Sequence, residues 1–272
     1  MHLGATLRLL RVDAGVSLRD LARRIGVSGA YLSRVENGLD AMPTPERIAA
    51  IARELNVPST LLMDVAQRMS PFVAHYLEAQ PAASALLLDI ARRRLDSEQL
   101  ARVRAFLDVE FPARPLWPDE PVPGLAPLLA PGRMVLRLTC TALEDALDVA
   151  AGRLVADCPG VSTHRLVTEL KRREAESSNA VGNGVAMPHA FVENVKPLAA
   201  LVTLATPLQV ETPDDVPLRL LVVLVGGERG PSWLVRLAHV ARLASQGLAE
   251  RLADAEHPPQ VSQRLAELEA LR

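Results

Sequence analysis

Aromatic side chains are nearly missing from this chain: two Trp, two Tyr and four Phe make up 3% of 272 residues, so its cores must be built from Leu, Val, Ala and Ile. Lysine is almost as rare. Lys171 and Lys196 are the only two among 30 basic residues, so arginine carries the positive charge. Cys140 and Cys158 are the only cysteines. Without C-x-x-C spacing they exclude a zinc ribbon and a disulfide framework, and they fit free thiols in a cytoplasmic protein. No apolar run approaches the roughly 20 residues of a membrane helix. Arg8 and Arg11 interrupt the first apolar stretch, so neither membrane insertion nor a secretory leader is expected. His2, His75, His164, His239 and His257 lack the company of metal ligands, and no metal or other cofactor is expected.

What is present is a folded composition, 49% hydrophobic and 23% charged, long enough for two domains. Seven of the 21 prolines fall in 112–132, a density that blocks both helices and sheet ladders and marks a linker. Before it the patterns are helical. Residues 1–67 divide into five short helices, an all-α domain, and 68–111 into amphipathic helices suited to connection or dimerisation. After the linker, 133–272 alternates amphipathic helices with β-branched runs (MVLRLT, VAMPHA, LAALVTLATPLQV, LRLLVVLVG), which predicts an α/β domain of a mixed sheet with flanking helices. The net charge of −2 conceals a gradient, since residues 1–35 hold six arginines against Asp13 and Asp20.

In the first domain Ser17 opens SLRDLARRI as an N-cap, with Asp20 three residues on, and Gly26 closes it. Ser28 caps GAYLSRVEN and Gly38 ends it. Two short helices around a glycine turn have helix-turn-helix spacing. The stretch LRLLRVDAGVSLRDLARRIGVSGAYLSRVENG, followed by Pro43 and IAAIARELNV, resembles the Cro/C1-type (XRE) helix-turn-helix family. The resemblance implies that the third helix enters the DNA major groove. Ser28, Gly29, Ala30, Tyr31 and Arg34 would then stand at base edges, and Ser17, Arg19 and Asn37 near phosphates. It also implies an ion pair of Arg11 with Glu36. Gly29 and Ala30 offer no hydrogen bond, so Tyr31 and Arg34 are the direct readers.

The sharpest segment of the second domain is RREAESSNAVGNGVAMPHA, 172–190. A neutral imidazole is a competent phosphoryl acceptor near pH 7. That assigns His189 as acceptor, Arg173 as the charge that stabilises the transferred group, and Gly182, Asn183 and Gly184 as a backbone cradle. Glu174, Val181-Gly182 and Val185-Ala186-Met187-Pro188-His189-Ala190 resemble the type-2 EIIA domain (fructose/mannitol/nitrogen class) of the bacterial phosphotransferase system. The resemblance implies phosphorylation of His189 by the carrier HPr and, in transporters, transfer to an EIIB. Two features depart from it. Ser178-Asn179-Ala180 replaces Ser-Thr-Gly, and Trp233 stands where a second histidine is usual. Together the halves imply a cytoplasmic transcription regulator, a homodimer on operator DNA, whose second domain senses phosphotransferase state. The alternative is a phosphocarrier between HPr and EIIB. Neither reading makes the chain more than a phosphohistidine acceptor among enzymes.

Overall fold

A computed structural model describes every residue except 1, 41, 67–76, 78–79, 112–123, 159, 177, 228 and 271–272. The chain forms two compact units, residues 69–121 and the rest. The larger unit therefore contains both the helical N-terminal domain and the α/β domain.

The N-terminal domain has five helices, α1 (His2–Asp13), α2 (Leu18–Arg24), α3 (Gly29–Glu36), α4 (Pro45–Glu54) and α5 (Ser59–Val65). Local chemistry sets the boundaries. The Ser17 and Ser28 hydroxyls accept the backbone N–H of Asp20 and Tyr31 at 3.0 and 3.1 Å, which caps α2 and α3. The Asp20 carboxylate returns to the Ser17 hydroxyl at 2.7 Å, so the capping box closes on a side chain. Gly26 takes φ +71°, and the N–H of Val27 closes onto the Ala22 carbonyl at 2.9 Å. Helix α1 crosses α3 closely at Gly4, where a Cβ would lie 2.4 Å from the Val35 carbonyl oxygen. Arg11 grips Glu36 with two bonds, 2.6 and 2.8 Å, and donates a third to the Val16 carbonyl, so the buried carboxylate is fully paired.

The smaller unit carries α6 (Pro81–Arg93) and α7 (Ser97–Glu110). Asp96 and Gln99 form a reciprocal capping box at the start of α7. Leu86, Leu87, Leu88, Phe106 and Val109 are exposed on these helices. Most of the proline-rich stretch lies outside the described residues. Its last part, expected to be linker, is folded: a turn at Ala126–Leu128 leads directly into a strand that starts at Leu129. Pro131 is accommodated because that strand is an edge strand.

The α/β domain is built on β1 (Leu129–Leu138), β2 (Ala180–Gly182), β3 (Val185–Ala186), β4 (His189–Phe191), β5 (Leu198–Leu208) and β6 (Leu218–Gly226). The strand order is β1-β5-β6-β3-β2, with β4 also on β6. The sheet is mixed: β1 is parallel to β5, β5 antiparallel to β6, and β3 and β4 are parallel to β6. The central strands β5 and β6 are apolar almost throughout because both their faces are covered. Ala200, Val202, Leu221 and Val223 face α8 (Leu143–Val155) and α9 (Thr163–Glu176). Ala199, Leu201, Leu220 and Val222 share the opposite core with α10 (Pro231–Ser245), α11 (Leu248–Leu252) and α12 (Pro258–Ala270).

That second core continues into the N-terminal domain. Helices α1 and α5 pack on α10, and α1 also on β2. This explains why α10 is buried from Leu237 to Ala244 without interruption: it is a middle layer, covered on all sides, with His239 and Arg242 paired inside it. Glu269 on α12 ties this layer together. It accepts from His239 Nε2 on α10 at 2.8 Å and from the Leu125 N–H at 2.6 Å. Burial pushes its carboxyl up, and these two hydrogen bonds outweigh burial and hold it below the ordinary 4.5. Its contribution is therefore fully present above that value and disappears as pH falls through the lowered one. Glu269→Gln should cost about 1–3 kcal/mol at neutral pH. In urea melts at neutral pH and near pH 3, the gap between wild type and variant should narrow at the acid end.

Candidate functional site

His189 opens β4 beside Leu224 of β6 and is 0% exposed. A ladder of hydrogen bonds positions it. Glu174, near the end of α9, accepts the backbone N–H of Asn179 at 3.2 Å and its side-chain amide at 2.5 Å. The Asn179 carbonyl receives the Met187 N–H at 2.8 Å, and the Met187 carbonyl lies 3.0 Å from His189 Nδ1. Bonding to a carbonyl places a proton on Nδ1, which leaves Nε2 as the nucleophilic nitrogen. Nε2 is 3.0 Å from Arg173 Nη2, a second residue of α9 with 5% exposure. Nε2 is thus set next to a guanidinium suited to a transferred anion. Asn179, a departure from the family pattern, keeps a polar side chain in the ladder.

Arg173 and His189 share a third partner, Asp13 of α1. One carboxylate oxygen, Oδ1, forms an ion pair with Arg173 Nη2 and lies 3.1 Å from His189 Nε2. Its side chain is 1% exposed. Nothing in the sequence marks this contact. Asp13 ends a helix and counts there only as one negative charge.

Trp233 is buried at the start of α10. Its ring lies over Gly226, where a Cβ would stand 2.7 Å from it, and 5.1 Å from the Phe191 ring. The His189 ring centroid is 6.1 Å away. An indole therefore forms the wall of the site where a second imidazole is usual. His239 does not replace that imidazole, since its Nε2 is committed to Glu269.

Gly182, Asn183 and Gly184 are not brought to His189, which corrects the expected cradle. They form the β2–β3 hairpin, with φ positive at all three. The Gly184 carbonyl accepts the N–H of Leu220, whereas His189 pairs with Leu224. Four residues along one strand separate them, about 13 Å. The Asn183 N–H is already used by Asp214 at 2.7 Å, and its side chain donates to the Ala244 carbonyl at 3.1 Å. The glycine pattern marks the turn.

On the N-terminal domain, Ser17, Arg19, Ser28, Ala30, Arg34 and Asn37 are exposed, and Gly29 and Tyr31 are half-buried. All eight lie on α2, α3 or their caps. The Asn37 amide donates to the Ser33 carbonyl, and Arg34 lies 3.3 Å from Asp40. Arg47 of α4, which the sequence reading missed, stacks over the Tyr31 ring at 4.9 Å and donates to its hydroxyl at 3.2 Å. Cation–π stacking holds the Tyr31 ring and places a charge beside it. Among the described residues no three His, Cys, Asp or Glu side chains are placed to hold a metal, and no helix is long and apolar enough to cross a membrane.

A helix-turn-helix with a polar, arginine-bearing second helix is here joined to a mixed-sheet domain with a buried histidine–arginine pair, the architecture of a helix-turn-helix domain fused to a phosphotransferase-type domain. Residues 2–64 match the helix-turn-helix domain family, and residues 128–268 match the family described as "Phosphoenolpyruvate-dependent sugar phosphotransferase system, EIIA 2". The second match takes in more than half of the chain, which belongs to that family. An uncharacterised HTH-type transcriptional regulator from Mycobacterium tuberculosis (strain CDC 1551 / Oshkosh) is 32% identical over 44% of this chain and 82% of its own length. A nitrogen regulatory protein from Klebsiella oxytoca is 31% identical over 43% of this chain and 74% of its own. The 2-O-alpha-mannosyl-D-glycerate-specific EIIABC component of Escherichia coli (strain K12) is 32% identical over 47% of this chain. The chain spans only 20% of that transporter component.

If α3 reads DNA, Arg34 and Arg47 should separate in a gel-shift series. Arg34→Ala should cost about 1–3 kcal/mol on one preferred site and relax discrimination at one base pair. Arg47→Ala should weaken all sequences alike and lower the salt slope by about one.

Proposed function

We propose that this chain is a transcription regulator whose EIIA-like domain reports phosphotransferase state through a phosphoryl group on His189. The observation that carries this reading is the pairing of a carbonyl-anchored Nδ1 with an Nε2 set 3.0 Å from the Arg173 guanidinium. In the reaction a phosphohistidine donor, HPr by family expectation, loses its N–P bond while the His189 Nε2 lone pair forms a new one. The departing nitrogen keeps the electron pair. Nδ1 keeps its proton on the Met187 carbonyl, and Arg173 takes up the charge of the phosphoryl oxygens.

Ser28, Tyr31 and Arg34 serve as the DNA-reading side chains, with Gly29 and Ala30 as the close-approach surface. Ser17, Arg19, Asn37 and Arg47 serve as phosphate contacts. Two copies on a two-fold operator are supported by the exposed Leu86, Leu87, Leu88, Phe106 and Val109 of α6 and α7, a surface that pairing would bury. Trp233 in place of a second imidazole favours a regulator over a carrier that hands its phosphoryl group to an EIIB.

Incubated with phosphorylated HPr, wild-type protein should gain the mass of one phosphoryl group, on the peptide holding His189, and His189→Ala should gain none. Operator affinity should differ between phosphorylated and unphosphorylated wild type and be indifferent to the carrier in His189→Ala. Identical operator binding in all three states would overturn the reading.

A further inference from the structure

A phosphoryl acceptor has to be reached by its donor, yet His189 is 0% exposed and Asp13 of the chain's own helix-turn-helix domain lies against its Nε2. Among the buried residues of α1 are Thr6, Leu9 and Asp13, spaced three and four residues apart. Such spacing puts them on one side of the helix. A carboxylate on such a face is costly unless a cation meets it, and the cation is Arg173, the residue beside the acceptor nitrogen. Asp13 Oδ1 stands 3.1 Å from Nε2, inside the space that a phosphorus and its three oxygens would fill. Among the described residues Oδ2 has no hydrogen-bond partner, so the docked carboxylate is only half satisfied.

We propose that Asp13 is an internal occupant of the phosphoryl site, and that a phosphoryl group on His189 and the docked helix-turn-helix domain exclude each other. This rests on the reading of His189 as the acceptor. With Asp13 in place Arg173 is neutralised by one carboxylate. A phosphoryl group adds about two negative charges to the same buried volume. One guanidinium cannot balance both anions away from water, so Arg173 exchanges the carboxylate for the phosphoryl oxygens. Asp13 leaves for solvent and draws α1 with it. A second contact across the same boundary yields with it, the 4.0 Å pair of Asp64 on α5 with the buried Arg242 of α10. Ser28, Ala30 and Arg34 are exposed while α1 is docked, so the exchange changes how these side chains are held rather than uncovering them.

The test uses the full chain and two phosphodonors, phosphoramidate and phosphorylated HPr. With phosphoramidate the N–P bond breaks, Nε2 takes the phosphorus, and ammonia leaves with the electron pair and a solvent proton. Initial labelling of Asp13→Ala should exceed wild type at least tenfold with either donor, and His189→Ala should stay blank. Asp64→Arg, which opposes Arg242 without touching the acceptor, should raise labelling severalfold, and it decides the matter if Asp13→Ala melts below the assay temperature. Hydrogen exchange of α1 and α5 amides in wild type should accelerate at least tenfold once His189 is fully labelled. Equal labelling of wild type and both variants, or unchanged exchange in the labelled protein, would overturn the exclusion and leave His189 an acceptor. Absence of label on every variant would remove the acceptor reading itself, and the exclusion with it.

Discussion

A single buried carboxylate, Asp13, determines what the two halves of this protein mean to each other. Without it, α1 would be an ordinary first helix of a helix-turn-helix domain, and the Arg173 guanidinium beside His189 would lack this carboxylate. With it, the charge of one domain completes the electrostatics of the other. The apolar contact around the ion pair supplies the bulk of the attraction, because α10 is covered by the sheet on one side and by α1 and α5 on the other. The carboxylate supplies position and polarity. It is the one part of the interface whose favourability depends on what His189 carries, and a buried ion pair is more persuasive as a register or switching device than as a source of stability.

Much of the architecture was legible in the sequence because local chemistry decides it. Ser17 and Ser28 cap, Gly26 and Gly38 turn, and β-branched runs alternate with amphipathic stretches. The histidine of the VAMPHA run does end beside an arginine, since α9 and β4 are held in one domain by the Glu174–Asn179–Met187 ladder. Two features resisted reading for different reasons. The glycine turn looked like an anion cradle because glycines serve both purposes, and only the strand register shows that Gly184 and His189 lie at different heights on β6. The contact between domains left no periodic mark. Asp13 is separated from Arg173 by 160 residues, and the buried outer face of α10 reads in sequence as an ordinary Leu- and Ala-rich helix.

Trp233 illustrates a third kind of difference. A side chain that cannot titrate stands where the family usually places one that can, and it is packed too closely against Gly226 to be a casual replacement. The site is thereby drier and more aromatic, with Phe191 between Trp233 and the Arg229 guanidinium that stacks at 4.9 Å. Such surroundings strengthen whatever charge pairing occurs inside them. The arginine partner, not a second imidazole, then sets the balance at His189.

The chain leaves the larger unit after Arg68 and rejoins it at Val122. Residues 69–121, with helices α6 and α7, thus join the two domains covalently. Binding across a covalent tether is governed by an effective concentration, in the millimolar range for short flexible linkers. The contact between the domains can therefore be weak in absolute terms and still be occupied most of the time. Closing a loop of this size depends only slowly on its length, about 0.6 kcal/mol for each doubling. The balance between docked and released states therefore depends on the contact itself, its apolar area and the ion pairs of Asp13 and Asp64, more than on the length of the joining segment.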